Sequence, residues 1–112
     1  MDTDQFCMFT GHVDSWYYGA IDNGTANAAQ MEVARLVSSH QKELKRNFRI
    51  VHYSGHSHGR YAGSAWYADN FWEELHKSCV VNVNADSLGG KDAMDVQHST
   101  IMPETMGWQL KW

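Results

Sequence analysis

The chain has 112 residues, a net charge of −4 and 43% hydrophobic residues, which suits one domain built around a single core. No apolar run approaches the roughly 20 residues that a membrane-spanning helix needs. The only basic cluster, residues 42–49, lacks the aromatic or glycine-rich pattern of a nucleic-acid surface. We therefore expect neither a membrane nor a nucleic acid as partner. The acidic start, residues 1–4, is unlike a secretory signal peptide and favours a cytoplasmic location.

The predicted elements alternate between strands and helices. In chain order they are a strand at residues 6–10, a helix capped by Asn23 and running to about His40, a strand at 48–53, a helix with an apolar stripe at 68–75, and a strand at 79–85. This order predicts an α/β fold of three layers (αβα) with parallel strands. We expect the strand order 2-1-3, with the first strand central because it is the most apolar. The single, partial domain has its core at about 5–90 and an irregular tail at 91–112.

Residues with metal-binding or catalytic side chains follow each of the three predicted strands. His12 follows the first strand, Ser57 and His58 follow the second, and Asp86 follows the third. The carboxyl ends of parallel strands meet at one edge of the sheet, where ligands bind. Imidazole and carboxylate groups are zinc ligands, so the pattern favours a metal site. Simple alternatives are a strand-end histidine bonded to backbone at His12 and helix capping by the Asp-Asn pair at residues 22–23.

Two further acidic residues fit a metal site. Asp22 lies in a tight turn at a helix start and can bridge two metal ions. Asp14, two residues beyond His12, can orient its imidazole through a hydrogen bond. Asp14 is therefore a candidate catalytic residue, and Asp22 a candidate ligand.

The segment Gly-His-Ser-His-Gly at residues 55–59 also fits the nucleophile elbow of a serine hydrolase. Ser57, Asp86 and His98 follow one another in the order of such a triad. This interpretation leaves His12 and Asp22 without a role. Residues 59–63 also delay the next helix, whereas an elbow serine sits at the helix start. The serine hydrolase is the less favoured alternative.

Three motifs resemble the co-catalytic zinc aminopeptidases, a family that includes secreted bacterial aminopeptidases, glutamate carboxypeptidase, glutaminyl cyclase and the transferrin receptor ectodomain. Residues 11–15 are Gly-His-Val-Asp-Ser, residues 19–26 are Gly-Ala-Ile-Asp-Asn-Gly-Thr-Ala, and residues 84–86 are Asn-Ala-Asp. The pair Gly-Ser at residues 63–64 also matches. The resemblance covers residues 5–90 and implies a truncated version of that family's catalytic sheet.

The resemblance implies a role for each matching residue. His12 and Asp86 would hold one zinc ion, and Asp22 would bridge to a second. Ser57 stands where the family has its general base, a glutamate, and a serine cannot accept a proton in that role. His58 stands where the family has a glutamate ligand to the second zinc and can replace it as a nitrogen ligand. The family's last histidine ligand lies further along than this chain extends, so one zinc site looks complete and the second half built.

The implied function is amide-bond hydrolysis of a peptide or aminoacyl substrate by a zinc peptidase domain fragment with a degenerate site. The alternative is a non-catalytic metal-binding or structural homologue, since the family includes members that have lost zinc. Trp16 and Tyr17 can wall a substrate pocket or pack their loop. Arg60 and Tyr61 can bind a substrate carboxylate or serve packing. An exposed sheet edge and an apolar tail predict a homo-oligomer.

Overall fold

The computed structural model describes residues 3–92, and the α/β fold predicted from the sequence is confirmed within them. The elements are β1 (Phe6–His12), α1 (Ala26–Ser39), β2 (Asn47–Tyr53), α2 (Ala62–Ser78) and β3 (Cys79–Asn84). An irregular turn, Ala20–Thr25, precedes α1, and a short 3-10 turn, Gln41–Glu43, follows it. Nearly all of the predicted tail, with His98, lies outside the described residues.

The three strands form a parallel sheet in the order β2-β1-β3, as predicted. In the register, His12 lies opposite Tyr53 of β2, and Thr10 lies opposite Asn84 of β3. The carboxyl ends of all three strands therefore share one edge of the sheet. An irregularity between Phe6 and Cys7 shifts the pairing with β3 at the other end.

The two helices cross over from strand to strand on opposite faces of the sheet. The chain moves from β1 outward to β2 through α1, and then back past β1 to β3 through α2. Since parallel crossovers are right-handed, these two opposite directions place α1 on one face and α2 on the other. The change of direction occurs at β1, so the crevice where open α/β sheets bind ligands lies at the carboxyl end of that strand.

The start of α1 differs from the sequence prediction. The helix begins at Ala26, and Thr25 occupies the cap position without a side-chain cap bond. Asp22 and Asn23 have non-helical backbone angles inside the preceding turn. Asn23 is almost fully buried and bonds to other loops instead of capping the helix. Long-range hydrogen bonds thus outweigh the local capping preference of asparagine.

The core of the described residues is small and contains polar groups. Phe6, Met8, Ala26 and Ala85 are its buried apolar residues. The buried hydroxyl of Thr10 lies 3.1 Å from Asn82 Oδ1 and 3.2 Å from Asn84 Oδ1, and so ties β1 to β3. No helix within residues 3–92 has the length and apolar character that a bilayer crossing requires.

Outside this core, one ion pair ties β2 to α2. Arg49 reaches Glu74 at 2.7 Å and also donates to the hydroxyl of Tyr67 at 2.9 Å. Its guanidinium lies 4.0 Å from the centre of the Phe6 ring. The charged pair therefore covers one of the few buried apolar side chains at the amino ends of the strands.

Candidate metal centre

Four segments meet at the carboxyl edge of the sheet. His12 is the last residue of β1, and Asp86 lies two residues beyond the end of β3. Asp22 comes from the turn before α1, and the loop at residues 54–61 follows β2. The peptide bond between Asp22 and Asn23 is cis. Topology thus brings together side chains that are up to 74 residues apart in the sequence.

The His12 ring is the buried centre of this group. Only 4% of the residue is exposed. Its Nδ1 donates a hydrogen bond to the backbone carbonyl oxygen of Asp14 at 2.7 Å, and a carbonyl can only accept. In the neutral ring this bond leaves the lone pair on Nε2. That atom lies 2.9 Å from Asp22 Oδ1 and 3.4 Å from Asp86 Oδ1.

The Nε2 atom of His12 is buried yet makes no hydrogen bond of acceptable geometry. A lone pair facing two carboxylate oxygens is unfavourable unless a positive charge lies between them. A divalent cation satisfies all three groups at once, and zinc accepts both imidazole nitrogen and carboxylate oxygen. The arrangement of His12, Asp22 and Asp86 therefore fits a zinc ion.

Asn23 fixes the loops that carry these three side chains. Its Nδ2 donates to the carbonyl oxygens of His12 at 3.1 Å and Ala85 at 3.3 Å. Its Oδ1 accepts from the backbone N–H of Ser87 at 3.0 Å. One buried side chain thus joins the ends of β1 and β3 to the turn that carries Asp22. The sequence around Asn23 predicts a helix cap, and nothing in that local sequence indicates that Asn23 joins the loops.

The Asp14 carboxylate holds the loop after β2. It accepts hydrogen bonds from the backbone N–H of His56 at 3.1 Å and of Ser57 at 2.9 Å. Its nearer oxygen lies 3.8 Å from His12 Nδ1, so the carbonyl of Asp14, rather than its carboxylate, orients the imidazole. Partial burial raises the pKa of Asp14, but backbone hydrogen bonds, those from Ser57 and His56 first, together with the nearby His12 outweigh it and hold this pKa below its ordinary value. Asp14 is therefore an anion that positions residues 56–57.

From the sequence, His56 is a spare ligand candidate for which an exposed loop histidine is the favoured alternative, and in the structure it packs into this centre. Its ring stacks on His12 with ring centres 4.0 Å apart and planes 7° from parallel. Ligand atoms of His12, His56 and Asp86 all lie within 4.8 Å of one another. The sequence signal that could have indicated this position is that His56 lies just beyond the end of β2, one residue before Ser57.

His58 lies apart from the group around His12. It is exposed, its Nε2 lies 3.3 Å from the carbonyl oxygen of Ser15, and its ring packs 4.0 Å from the Trp16 ring. Ser57 is held through its backbone N–H by Asp14. Among residues 3–92, no histidine ring is hydrogen-bonded to the Ser57 hydroxyl, and the remaining triad candidate, His98, is not among them.

The four predicted substrate-binding residues lie on two loops around the centre. Trp16 is 54% exposed and Tyr17 is 98% exposed. Tyr61 packs against the His56 ring at 4.8 Å between centres, and Arg60 beside it is exposed. Arg60 and Tyr61 both have positive φ angles, which turn the chain sharply just before α2. Tyr61 therefore contacts the candidate centre through His56, whereas Trp16 contacts His58.

The comparisons with known proteins agree with this geometry. The model of peptidase family M28 matches residues 1–108. A probable glutamate carboxypeptidase of Zea mays is 29% identical over 89 residues, which are 76% of this chain and 12% of the relative. A glutamate carboxypeptidase 2 homologue of Caenorhabditis briggsae is 29% identical over 98 residues, which are 85% and 13%. Carboxypeptidase Q of Xenopus laevis is 30% identical over 83 residues, which are 72% and 16%.

The chain thus spans about an eighth of the length of the first of these relatives. No solved structure gives a significant match. The family match extends over nearly the whole chain, and the motifs that it shares with zinc aminopeptidases converge on the single edge where His12, Asp22 and Asp86 meet. The chain therefore belongs to peptidase family M28.

Proposed function

We propose that this chain carries the metal-binding core of a zinc-dependent peptidase, in a form whose catalytic site is degenerate. The observation that carries the proposal is the buried Nε2 of His12, which has no hydrogen-bond partner and faces the carboxylates of Asp22 and Asp86. Three protein ligands are what a catalytic zinc site ordinarily uses. Zinc in such a site polarises a carbonyl group and lowers the pKa of water.

The reaction that this centre supports in a complete protein is amide-bond hydrolysis of a peptide or aminoacyl substrate. The relatives described above are named as carboxypeptidases, and two others are named as aminopeptidases. Removal of a residue from either end of a peptide is therefore a candidate reaction. Trp16 and Tyr17 supply an apolar wall for a substrate side chain, and Arg60 supplies a positive charge for a substrate carboxylate. Tyr61, next to Arg60, packs its ring against His56 in the loop after β2.

The site is degenerate because Ser57 stands where the family has a general-base glutamate. A positioned proton acceptor contributes about 10²–10⁴-fold in rate. A serine hydroxyl does not supply it at neutral pH. We therefore expect negligible turnover by this chain and one tight zinc ion rather than two.

The second candidate is a metal-binding module without catalysis, and Ser57 is the observation that favours it. A serine hydrolase has less support, because within the described part of the chain no imidazole is bonded to the Ser57 hydroxyl. A serine-reactive probe that labels wild-type protein, and fails to label Ser57→Ala, would favour the hydrolase over both metal proposals.

The experiment that tests the proposed function measures zinc content and turnover together. Purified chain, freed of any histidine tag, should bind about one equivalent of zinc, and His12→Ala should lose most of that binding. His52→Ala is the matched control, because His52 is an exposed histidine on β2. Unchanged zinc uptake in His12→Ala would overturn the assignment. Hydrolysis of chromogenic aminoacyl or peptidyl substrates at ordinary enzymatic rates would show that the site is not degenerate.

A further inference from the structure

The loop after β2 contains two histidines, and the fold directs them differently. The His56 ring lies parallel to His12 at 4.0 Å, whereas His58 Nε2 donates to the Ser15 carbonyl at 3.3 Å. His58 is exposed, while His56 is half-buried between His12 and Tyr61. Only the first of these two rings therefore has a nitrogen near the ligand atoms of His12 and Asp86.

We propose that His56, and not His58, is the second nitrogen ligand of the zinc centre. The site then consists of four protein ligands, namely His12, His56 and Asp86 together with Asp22, which lies 2.9 Å from His12 Nε2. The inference rests on the proposed function in one respect, namely that the centre around His12 binds zinc. It adds a ligand at a position that the resemblance to zinc aminopeptidases leaves without a role.

The distances allow this set to close on one ion. Zinc bonds of about 2.0–2.1 Å in a tetrahedral arrangement place neighbouring ligand atoms about 3.3 Å apart. The atoms of His12, His56 and Asp86 lie within 4.8 Å of one another, so the set must contract by up to about 1.5 Å. His12 is buried and fixed by the Asp14 carbonyl. The contraction therefore falls to the other two, and the Asp86 side chain is 38% exposed and is held by a hydrogen bond from the hydroxyl of its neighbour Ser87.

The ring of His56 must also turn. Stacked parallel rings direct their in-plane lone pairs along parallel lines, so the two imidazoles cannot both point at one ion until one of them tilts. The backbone at His56 is anchored by its N–H bond to Asp14, which leaves the side-chain torsions to provide the movement. Tilting sacrifices the stack on His12 and the edge contact with Tyr61. Direct zinc coordination more than offsets this cost.

A His56 ligand also accounts for the serine at position 57. With Asp22 Oδ1 already 2.9 Å from His12 Nε2, four protein ligands are at hand. Zinc sites with four protein ligands are closed and structural, whereas catalytic sites keep one position open. A closed centre needs no proton acceptor at position 57, so a His56 ligand favours the metal-binding module without catalysis, the second candidate above.

The test replaces each histidine by phenylalanine, which keeps an aromatic ring in place and removes the nitrogen. Zinc affinity is measured by competition with a chelating dye, and coordination by the visible absorption of Co²⁺ bound to the same site. We expect His56→Phe to weaken zinc binding by at least ~10-fold, the low end of what loss of an outer-shell partner alone costs. The intensity of the Co²⁺ bands should fall as well. His58→Phe should match wild type in both measurements.

The outcomes separate this inference from the proposed function. If wild-type chain binds no zinc, the proposed function itself fails. If wild type binds zinc and His12→Ala does not, but His56→Phe equals wild type, the inference fails and the proposed function stands. Loss of affinity in His58→Phe alone would restore His58 as the ligand predicted from the sequence. Circular dichroism of His56→Phe must match wild type, and a misfolded variant is replaced by His56→Gln, for which the same expectations hold.

Discussion

Replacing Asn23 by alanine is the sharpest test of how the candidate metal centre is built. The side chain is 1% exposed and makes three hydrogen bonds, to the carbonyls of His12 and Ala85 and from the N–H of Ser87. Alanine removes all three and leaves two buried carbonyl oxygens without this donor. The ends of β1 and β3 then lose the side chain that joins them.

The magnitude follows from these contacts. A net intramolecular hydrogen bond contributes about 1 kcal/mol, and an unsatisfied buried group costs about 1–3 kcal/mol. The two bonds to carbonyls are buried, and the bond from Ser87 is only partly so and water can replace it. We therefore expect Asn23→Ala to lower the free energy of unfolding by about 3 kcal/mol. That is a large share of the roughly 5–15 kcal/mol that stabilises a typical domain.

The assay is urea unfolding of wild type and variant, followed by circular dichroism and tryptophan fluorescence. Asn70→Ala is the matched control, because Asn70 is exposed on α2 and makes one local bond to the Trp66 carbonyl at 2.8 Å. It should change stability by no more than about 0.5 kcal/mol. Zinc affinity should also fall in Asn23→Ala. Equal stability of the Asn23 and Asn70 variants would show that the loops are held by other means.

Three further predictions concern the helices and the sheet edges. Gly63→Ala should destabilise the protein by about 1–3 kcal/mol in urea unfolding, since an added Cβ would overlap the Ser54 carbonyl oxygen. Glu74→Gln should lower the melting temperature at neutral pH and lose this effect in acid. The bond to Arg49 lowers the pKa of Glu74 from 4.5. The Glu74 carboxylate therefore stabilises the folded protein fully above pH 4.5, and this stabilisation disappears as the pH falls through the lowered pKa. Light scattering should show a dimer or larger assembly, because β2 and β3 each leave one edge unpaired in the described sheet, and a stable monomer would contradict this.

The topology and the edge that holds the candidate site could both be predicted from the sequence alone. Apolar runs of strand length alternate with helical stripes, and this alternation allows few arrangements other than a parallel sheet with right-handed crossovers. The first strand is the most apolar and lies in the centre, as predicted. Because strand ends converge by topology alone, the sequence also indicated that His12 and Asp86 would meet. These features follow from periodicity and chain order, which a single sequence displays.

The contacts of the polar side chains at that edge could not be predicted in this way, because they join segments that are distant in the sequence. Asn23 has the local pattern of a helix cap, yet partners 11 and 62 residues away bind its amide. The Asp14 carboxylate accepts hydrogen bonds from backbone N–H groups 42 and 43 residues away, and these bonds set the path of the loop after β2. That path, in turn, directs His56 towards His12 and His58 towards Ser15. Two histidines that are two residues apart have equivalent local sequence signals, and only contacts with distant segments distinguish them.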